Sequence, residues 1–438
     1  MRLGVVRSIS YGLWGPPGEF VPQARGIGAG LVRVYVYWNQ VEPASGEYDW
    51  TVVDALLAQL GDEEVWVTVC ASSTWATREA TPFLPPSPPK NHARYAAFVR
   101  ALVERCGGRV TYWQCENEPS NTPLLWSGTA QEYAVLLRTM HDAVKAADPA
   151  AQVVLGGCGL DVWSSPPDSE PRRFFHHVLA TAGDCFDLFS VHLYDEAVAT
   201  HVADARAMLA EHGLDTPLVA GEIGGPVPLE FPELMPVIGN VMAQGGTERD
   251  AVLALYAADL PDRMRMFLVG CPPELEEKRH RIACRQLVTR TLAALAEGVR
   301  RTFYWHLAPE TPGDIDPYQI MGVLFGKLAL FAYEGRDLTH RHPAADTFAL
   351  LAAHLADAIS VTRIDNHAVR IDGQAPALVV WAPGDPFDGE DAEPVPADLP
   401  WPAATAHGTD VFGAAVQVSL ADGRVRFARS VTPVFVTV

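Results

Sequence analysis

The string Trp113-Gln114-Cys115-Glu116-Asn117-Glu118-Pro119 closes an apolar stretch that begins at Val110. Its β-branched and aromatic residues read as a strand. Pro119, with no N–H to offer a sheet ladder, ends it. Glu118 therefore stands at the C-terminal tip of a strand. A second string, Ala220-Gly221-Glu222-Ile223-Gly224, closes the apolar run from Pro217 and leaves Glu222 in the equivalent place. Its glycines leave space around that carboxylate. The rest of the chain decides whether the two strand tips meet.

Similar runs recur along the sequence, at Leu3–Ser8, Leu31–Trp38, Val65–Ala71, Val110–Glu118, Val153–Gly157, Phe186–Tyr194, Pro217–Glu222 and Arg301–His306. Helical patterns separate them, among them Thr51–Leu60, Asn91–Cys106, Ala130–Ala147, Glu170–Ala182, His201–His212 and Glu277–Gly298. Strands that are apolar throughout, rather than alternating, are buried on both faces, which predicts a parallel sheet covered by helices. Eight such units predict an α/β fold, a (β/α)8 TIM barrel, whose usual size is ~250 residues before insertions. Glu118 and Glu222 end the fourth and seventh strands, 104 residues apart. Three βα units of ~30 residues need ~90, so the spacing fits. Side chains at the C-terminal strand ends of such a barrel project into one well.

Two connections exceed the usual length. Ser72 to Lys90 carries Trp75 and the run Pro85-Pro86-Ser87-Pro88-Pro89. The insertion at about 225–276, after the seventh strand, holds a helical stretch Glu248–Leu260. It either shapes the cleft or packs an interface in a homo-oligomer. A last helix, Ala345–Ala358, closes a barrel domain expected to span residues 1–358. Residues 359–438 read as a small C-terminal antiparallel β-domain, sandwich-like. Its strands are Ile359–Ile371, Ala377–Trp381, Ala415–Leu420, Val425–Ala428 and Val434–Val438, with hairpin signals at Asp372-Gly373 and Asp422-Gly423. Gly384–Pro402 reads as a loop.

Composition narrows the function. Of 438 residues, 48% are hydrophobic, enough for a large core. A net charge of −20 argues against a nucleic-acid partner, which needs a basic surface. No run approaches the ~18 apolar residues of a membrane span. The N-terminus enters a strand at once and shows no signal peptide, so a cytoplasmic location is expected unless a leader has been removed. Seven scattered cysteines without a C-x-x-C read as buried free thiols. No H-E-x-x-H and no phosphate-binding G-x-x-x-x-G-K-[ST] occurs, so neither a metal nor a cofactor is expected.

Two carboxylates at one barrel mouth are what glycoside hydrolysis uses. Asn117-Glu118-Pro119 resembles the acid/base signature of clan A retaining glycoside hydrolases, and Glu222-Ile223-Gly224 resembles their nucleophile strand. Arg33, in Leu31-Val32-Arg33-Val34-Tyr35, resembles the clan's second-strand arginine. Glu42-Pro43-Ala44-Ser45-Gly46-Glu47-Tyr48-Asp49-Trp50 resembles the segment that follows it. Phe186–Tyr194 resembles the sixth strand, whose tyrosine contacts the nucleophile, and Trp305 the eighth-strand tryptophan that floors the sugar subsite. The layout, with Trp126-Ser127-Gly128-Thr129 and Tyr133 after the fourth strand and a terminal β-domain, resembles family 39, which includes β-xylosidases and α-L-iduronidases. Gln114-Cys115-Glu116-Asn117-Glu118 also resembles the Q-x-(D/E)-N-E string of families 35 and 42, which are β-galactosidases.

The resemblance implies a retaining glycosidase that cleaves O-glycosidic bonds through a covalent glycosyl-enzyme. Glu118 is then the acid/base and Glu222 the nucleophile, held by Arg33 and Tyr194. Asn117 bonds the sugar 2-hydroxyl, and Trp305, Trp38 and Trp75 stack on sugar faces. His192 is either a site residue or a satisfied barrel histidine. Glu116 shares strand parity with Glu118 and so points inward as a supporting hydrogen-bond partner, unless the strand bulges. With no basic cluster to grip a uronic acid, a neutral β-glycoside of β-xyloside or β-galactoside type is the expected substrate. A carbohydrate-binding barrel without catalysis and a transglycosidase are the alternatives.

Overall fold

The computed structural model describes residues 1–231, 235–310 and 320–438. Eight strands follow one another round a closed parallel barrel: β1 (Leu3–Val6), β2 (Leu31–Tyr37), β3 (Glu64–Cys70), β4 (Tyr112–Cys115), β5 (Gln152–Cys158), β6 (Leu188–Leu193), β7 (Leu218–Ile223) and β8 (Thr302–Tyr304). The ring closes where β1 pairs with β8, Leu3 opposite Thr302 and Val5 opposite Tyr304. The predicted TIM barrel is the observed one, each strand overlapping its predicted run.

The apolar runs divide by parity. On β2, Val32, Val34 and Val36 join the layer under the helices, while Leu31, Tyr35 and Tyr37 pack inside the barrel. The covering helices start where the sequence supplies caps. The Asn91 side chain accepts the N–H groups of Ala93 at 2.9 Å and Arg94 at 3.2 Å to open His92–Cys106. Thr129 and Glu132 form a capping box at the start of Ala130–Ala147.

One predicted strand ends early. β4 stops at Cys115, because Glu116 (φ 57°) and Glu118 (φ 44°) take left-handed backbone. The parity argument that turned Glu116 inward therefore does not apply.

The insertion after β7 carries helices Met235–Ala243, Glu248–Ala257 and Asp262–Arg265. It has its own apolar cluster, including Ala251, Leu255, Met264 and Phe267, joined by Ile282 of the long helix Pro273–Ala296. A hairpin of Phe331–Glu334 and Asp337–Arg341, unforeseen in the sequence, precedes the helix Pro343–Leu355.

Two antiparallel sheets follow. One runs in the order Ala358–Asp365, Ala368–Gly373, Ala377–Val380, Val434–Thr437, His407–Asp410 and Ala415–Val416. The other is Val395–Pro400, Arg424–Arg429 and Ser419–Ala421. Leu378, Val380 and Val436 of the first meet Ala397, Val425 and Phe427 of the second in one apolar cluster, which makes the pair a small sandwich.

Several details differ from the sequence reading. Ile359–Ile371 is a hairpin rather than one strand, so Asp372-Gly373 ends a strand instead of turning it. Ala415–Leu420 is split between the two sheets. Val395–Pro400 is a strand inside the predicted loop, its prolines tolerated because it lies at a sheet edge. Asp422 (φ 53°) and Gly423 (φ 70°) do form the two-residue hairpin turn.

Candidate active site

Each strand exit delivers its side chain for a local reason. On β6, Ser190 and His192 share the inward face with Leu188, and Tyr194 follows at the exit. On β7, simple alternation from the inward Val219 would place Glu222 outside. A register shift against β6, where Val191 pairs with Ala220 but His192 with Glu222, inserts Gly221 as an extra residue and turns Glu222 into the well. Only glycine fits there: a Cβ at position 221 would sit 2.4 Å from Ser190 Oγ and 3.2 Å from Arg33 Nη1.

Glu222 is buried and meets three donors. Arg33 Nη1 donates to Oε1 at 3.1 Å, Tyr35 Oη to Oε1 at 3.1 Å, and Tyr194 Oη to Oε2 at 2.6 Å. This set suits an acceptor-only carboxylate. Arg33 is fully buried and fully used. Its Nε donates to Thr68 Oγ1 at 3.0 Å, Nη1 also to the Gly221 carbonyl at 2.8 Å, and Nη2 to Tyr35 Oη at 3.0 Å and Asn117 Oδ1 at 2.7 Å. Gln114 Nε2 also donates to Asn117 Oδ1, at 3.4 Å. With its oxygen so fixed, Asn117 has its amide N–H groups left to give.

Glu118 is more open than Glu222, its side chain 17% exposed against 5%. His192 Nδ1 lies 2.6 Å from Glu118 Oε1 and 3.4 Å from Glu222 Oε2. Burial pushes the Glu118 carboxyl up to about 7, against the opposing pull of Arg33 and of a hydrogen bond from Asn121. Burial likewise pushes the His192 imidazole down to about 4, so the ring is neutral at pH 7. Glycine again makes room, since a Cβ at Gly157 would lie 2.1 Å from His192 Nε2.

Donor atoms of Glu118, His192 and Glu222 all lie within 4.8 Å of one another. Among the described residues this is the one group of three that could present ligands to a metal ion. Because Arg33 and two tyrosines already occupy the Glu222 oxygens, the trio reads as a carboxylate pair spanned by an imidazole. The sequence also contains an H-x-H pair, His340-Arg341-His342; it stands in the hairpin region, with His342 stacked on His280 at 4.8 Å, and joins no such group.

Trp305 follows β8 and turns its edge to Tyr35 at 6.4 Å between ring centres, so it walls the well. The structure thus brings together Glu118, Glu222, Asn117, Arg33, His192, Tyr194 and Trp305. Three expected residues stand elsewhere. Trp38 is fully buried under the helices, stacked on Phe98 at 5.4 Å, its Nε1 donating to Glu42 Oε2 at 2.7 Å. Trp75 packs edge-on against Trp38 at 5.7 Å and donates to the Glu42 carbonyl at 2.9 Å, which anchors its loop. Both rings lie in or against the helix-side core, so neither is a sugar platform. Glu116 is fully buried, its Oε1 accepting the Ala71 N–H at 2.7 Å and its Oε2 meeting no partner. Burial raises its carboxyl to about 8. It is a neutral structural group at the shoulder of β3 and β4.

Three residues escaped the sequence reading. Tyr35 shares the inward face of Arg33 two residues on. Thr68 holds Arg33. Asp161, just past β5, crowds Glu118 over Gly159. A Cβ on that glycine would lie 2.5 Å from Asp161 Oδ1 and 3.0 Å from Glu118 Oε1. The glycine-rich string Gly156-Gly157-Cys158-Gly159 was the available signal. The loop from Ser72 to Lys90 also reaches the well, where Leu84 and Pro86 close a cavity of about 20 Å³ bounded by Tyr35, Tyr37 and Asn117.

The fold has counterparts among solved structures. A family 39 glycoside hydrolase from the gut symbiont Bacteroides cellulosilyticus WH2 superposes with a TM-score of 0.64 at 15% identity, over 100% of this chain and 80% of that one. A glucosidase from Croceicoccus marinus gives 0.62 at 14%, over 100% and 96%. A family 39 β-xylosidase from Caulobacter crescentus gives 0.58 at 14%, over 100% and 95%. The likeness runs the length of the chain, barrel and β-domain together. No protein-family model and no curated protein matches the sequence. At these identities the shared property is the fold.

Proposed function

We propose that this chain is a retaining glycoside hydrolase acting on a neutral β-glycoside, of β-xyloside or β-galactoside type, with Glu222 as nucleophile and Glu118 as acid/base. The observation that carries the reading is the approach of the Glu118 and Glu222 carboxyl oxygens to within 4.8 Å. Retaining enzymes hold their two carboxyl groups about 5–5.5 Å apart, whereas inverting ones leave ~6.5–9.5 Å for a water. A fold shared with a β-xylosidase and a glucosidase supports the substrate class.

The two glutamates have unlike settings, as the two jobs require. In the first step a Glu222 oxygen attacks the anomeric carbon while the bond to the leaving oxygen breaks. The Glu118 proton passes to that oxygen. In the second step Glu118, now a carboxylate, takes a proton from water, whose oxygen attacks the same carbon. Glu222 departs and Glu118 is protonated again. Asn117 offers its amide N–H groups to a ring hydroxyl. Arg33 is saturated by protein acceptors and has no N–H left over for a uronic acid.

The test is Glu222→Ala against nitrophenyl β-glycosides of xylose, galactose, glucose, fucose and mannose. Turnover of the substrate that the native chain prefers should disappear. Azide should restore release of nitrophenol and yield a glycosyl azide of inverted configuration. Undiminished activity in the variant overturns the assignment.

A further inference from the structure

The catalytic well does not end at Glu118. A cavity of about 810 Å³ opens beside it, with Asp161 at its inner end. None of Glu118, Glu222 and Trp305 lines this cavity itself. Asp161, which meets Glu118 across Gly159, puts it on the side of the proton donor, where the leaving group departs. Its outer end is formed by Glu196, Asp385 and Pro386. The same three residues begin a second cavity of about 490 Å³, at the seam between the barrel and the β-domain. That cavity runs on past Gln286 and Arg290 of the helix Pro273–Ala296 to Asn366, His367 and Trp381 of the β-domain.

The far cavity is built to bind. Gln286 is 3% exposed and Arg290 1%. Gln286 Oε1 accepts no hydrogen bond and Arg290 Nε donates none, although both side chains line the wall. Gln286 Oε1 lies over Gly225, behind the wall, while Gln286 Nε2 and Arg290 Nη2 hold the Glu196 carboxylate, which lines both cavities and can accept from a sugar hydroxyl. The helix Val198–Glu211 begins here behind Ala197, which has no side-chain oxygen to cap it, so its first N–H groups are also open to an acceptor. Half-buried Trp381 supplies an aromatic wall, with His367 set across it at 80° and 6.1 Å.

Charge selects the ligand class. Arg285 is paired with Glu390, Arg290 with Glu196 and Glu230, and Arg363 with Glu297. No cation of these three is left over to require an anion. A few aligned polar groups beside an aromatic face, in a cavity of this volume, suit a neutral polyhydroxylated chain.

We infer that the leaving-group side of the cleft continues to a distal saccharide-binding site at Trp381, so that the chain grips an oligosaccharide leaving group across both domains. This rests on the glycosidase reading, and the two fail differently. For the native chain, kcat/KM should rise at least tenfold as the leaving group grows from one sugar to four. In Trp381→Ala and in Asn366→Ala, a change at an exposed turn, the rise should flatten. Both variants should keep native kinetics on the short nitrophenyl glycoside, which also reports that they fold. Absence of any rise in the native chain, or the same rise in both variants, overturns the distal site.

If the native chain hydrolyses no glycoside at all, the glycosidase reading fails and the distal site is judged by binding. Calorimetric titration of Glu222→Ala with xylopentaose and with β-1,4-linked galactopentaose should show binding that weakens at least tenfold when Trp381→Ala is added. Binding of neither pentaose, or equal binding with and without Trp381, overturns the inference.

Discussion

Tyr194 donates its hydroxyl to Glu222 Oε2 at 2.6 Å, and its own carbonyl is held by Arg290 Nη1 at 2.9 Å. The buried arginine also clasps the Gly224 carbonyl, so the exits of β6 and β7 are fixed to each other next to the proposed nucleophile. A hydrogen bond to a charged group contributes about 1.5–3 kcal/mol. Tyr194→Phe should therefore lower kcat about 10–100-fold on an aryl glycoside, while the KM for that substrate moves little. Steady-state kinetics checks this, with an unchanged thermal transition showing that the fold is intact.

A second prediction concerns pH. Glu118 must carry a proton to act as acid, and its folded pKa is raised to about 7. The proton is held below that value and lost above it. kcat/KM should fall about tenfold per pH unit once pH passes ~7. Glu118→Gln should remove this limb. The variant should still release dinitrophenol, which leaves without a proton, in a single burst. It should lose about 10²–10⁴-fold on an alkyl glycoside. A pH–rate profile with an unshifted alkaline limb in the variant would assign that limb to another group.

The barrel was legible because its signal is repeated: a missed boundary in one apolar run is outvoted by seven others. Arg33, His192 and Tyr194, singled out through the family resemblance, stand where strand alternation holds. The site was not legible where the backbone leaves the strand. Glu116 and Glu118 carry positive φ, and Gly221 adds a residue to β7, so alternation does not extend to Glu116 and gives no reason for Glu222. Trp38 and Trp75 misled because an aromatic near a strand end looks the same in sequence whether it faces sugar or packs under a helix. The β-domain blurred for a different reason: edge strands with proline and exposed polar residues lack the period of a half-buried strand.

Glu116 gives the third prediction, one of stability. Its folded pKa is raised to about 8 from an ordinary value of 4.5. Between those values the folded state holds a proton that the unfolded state has released, so stability falls as pH rises from about 4.5 to 8. Glu116→Gln mimics the protonated form and keeps an oxygen for the Ala71 N–H. Calorimetry should give similar Tm values for variant and native chain at pH 5 and a higher Tm for the variant at pH 8. Activity per folded molecule should not change, since the side chain lies outside the well. A Tm gap that is the same at both pH values would mean that this carboxyl is not what titrates.

Gly157 supplies the fourth. A methyl there would lie 2.1 Å from His192 Nε2 and 2.6 Å from Cε1, too close to tolerate, so in Gly157→Ala the imidazole must move. The Nδ1 of the ring lies 2.6 Å from Glu118 Oε1 and 3.4 Å from Glu222 Oε2, and a displaced ring alters both contacts. Overpacking of this kind costs about 1–3 kcal/mol of stability. The catalytic loss should be larger than that cost implies, at least ~10-fold in kcat/KM at pH 6, since a displacement of about 1 Å in the constellation is enough. The alkaline limb of the pH profile should move as well, because Glu118 loses its nearest partner. Gly15→Ala is the control, with nothing within 4 Å of its added carbon, and should behave as the native chain. If Gly157→Ala lowers Tm but leaves both kcat/KM and the limb in place, His192 fills space in the barrel and does not position the acid/base.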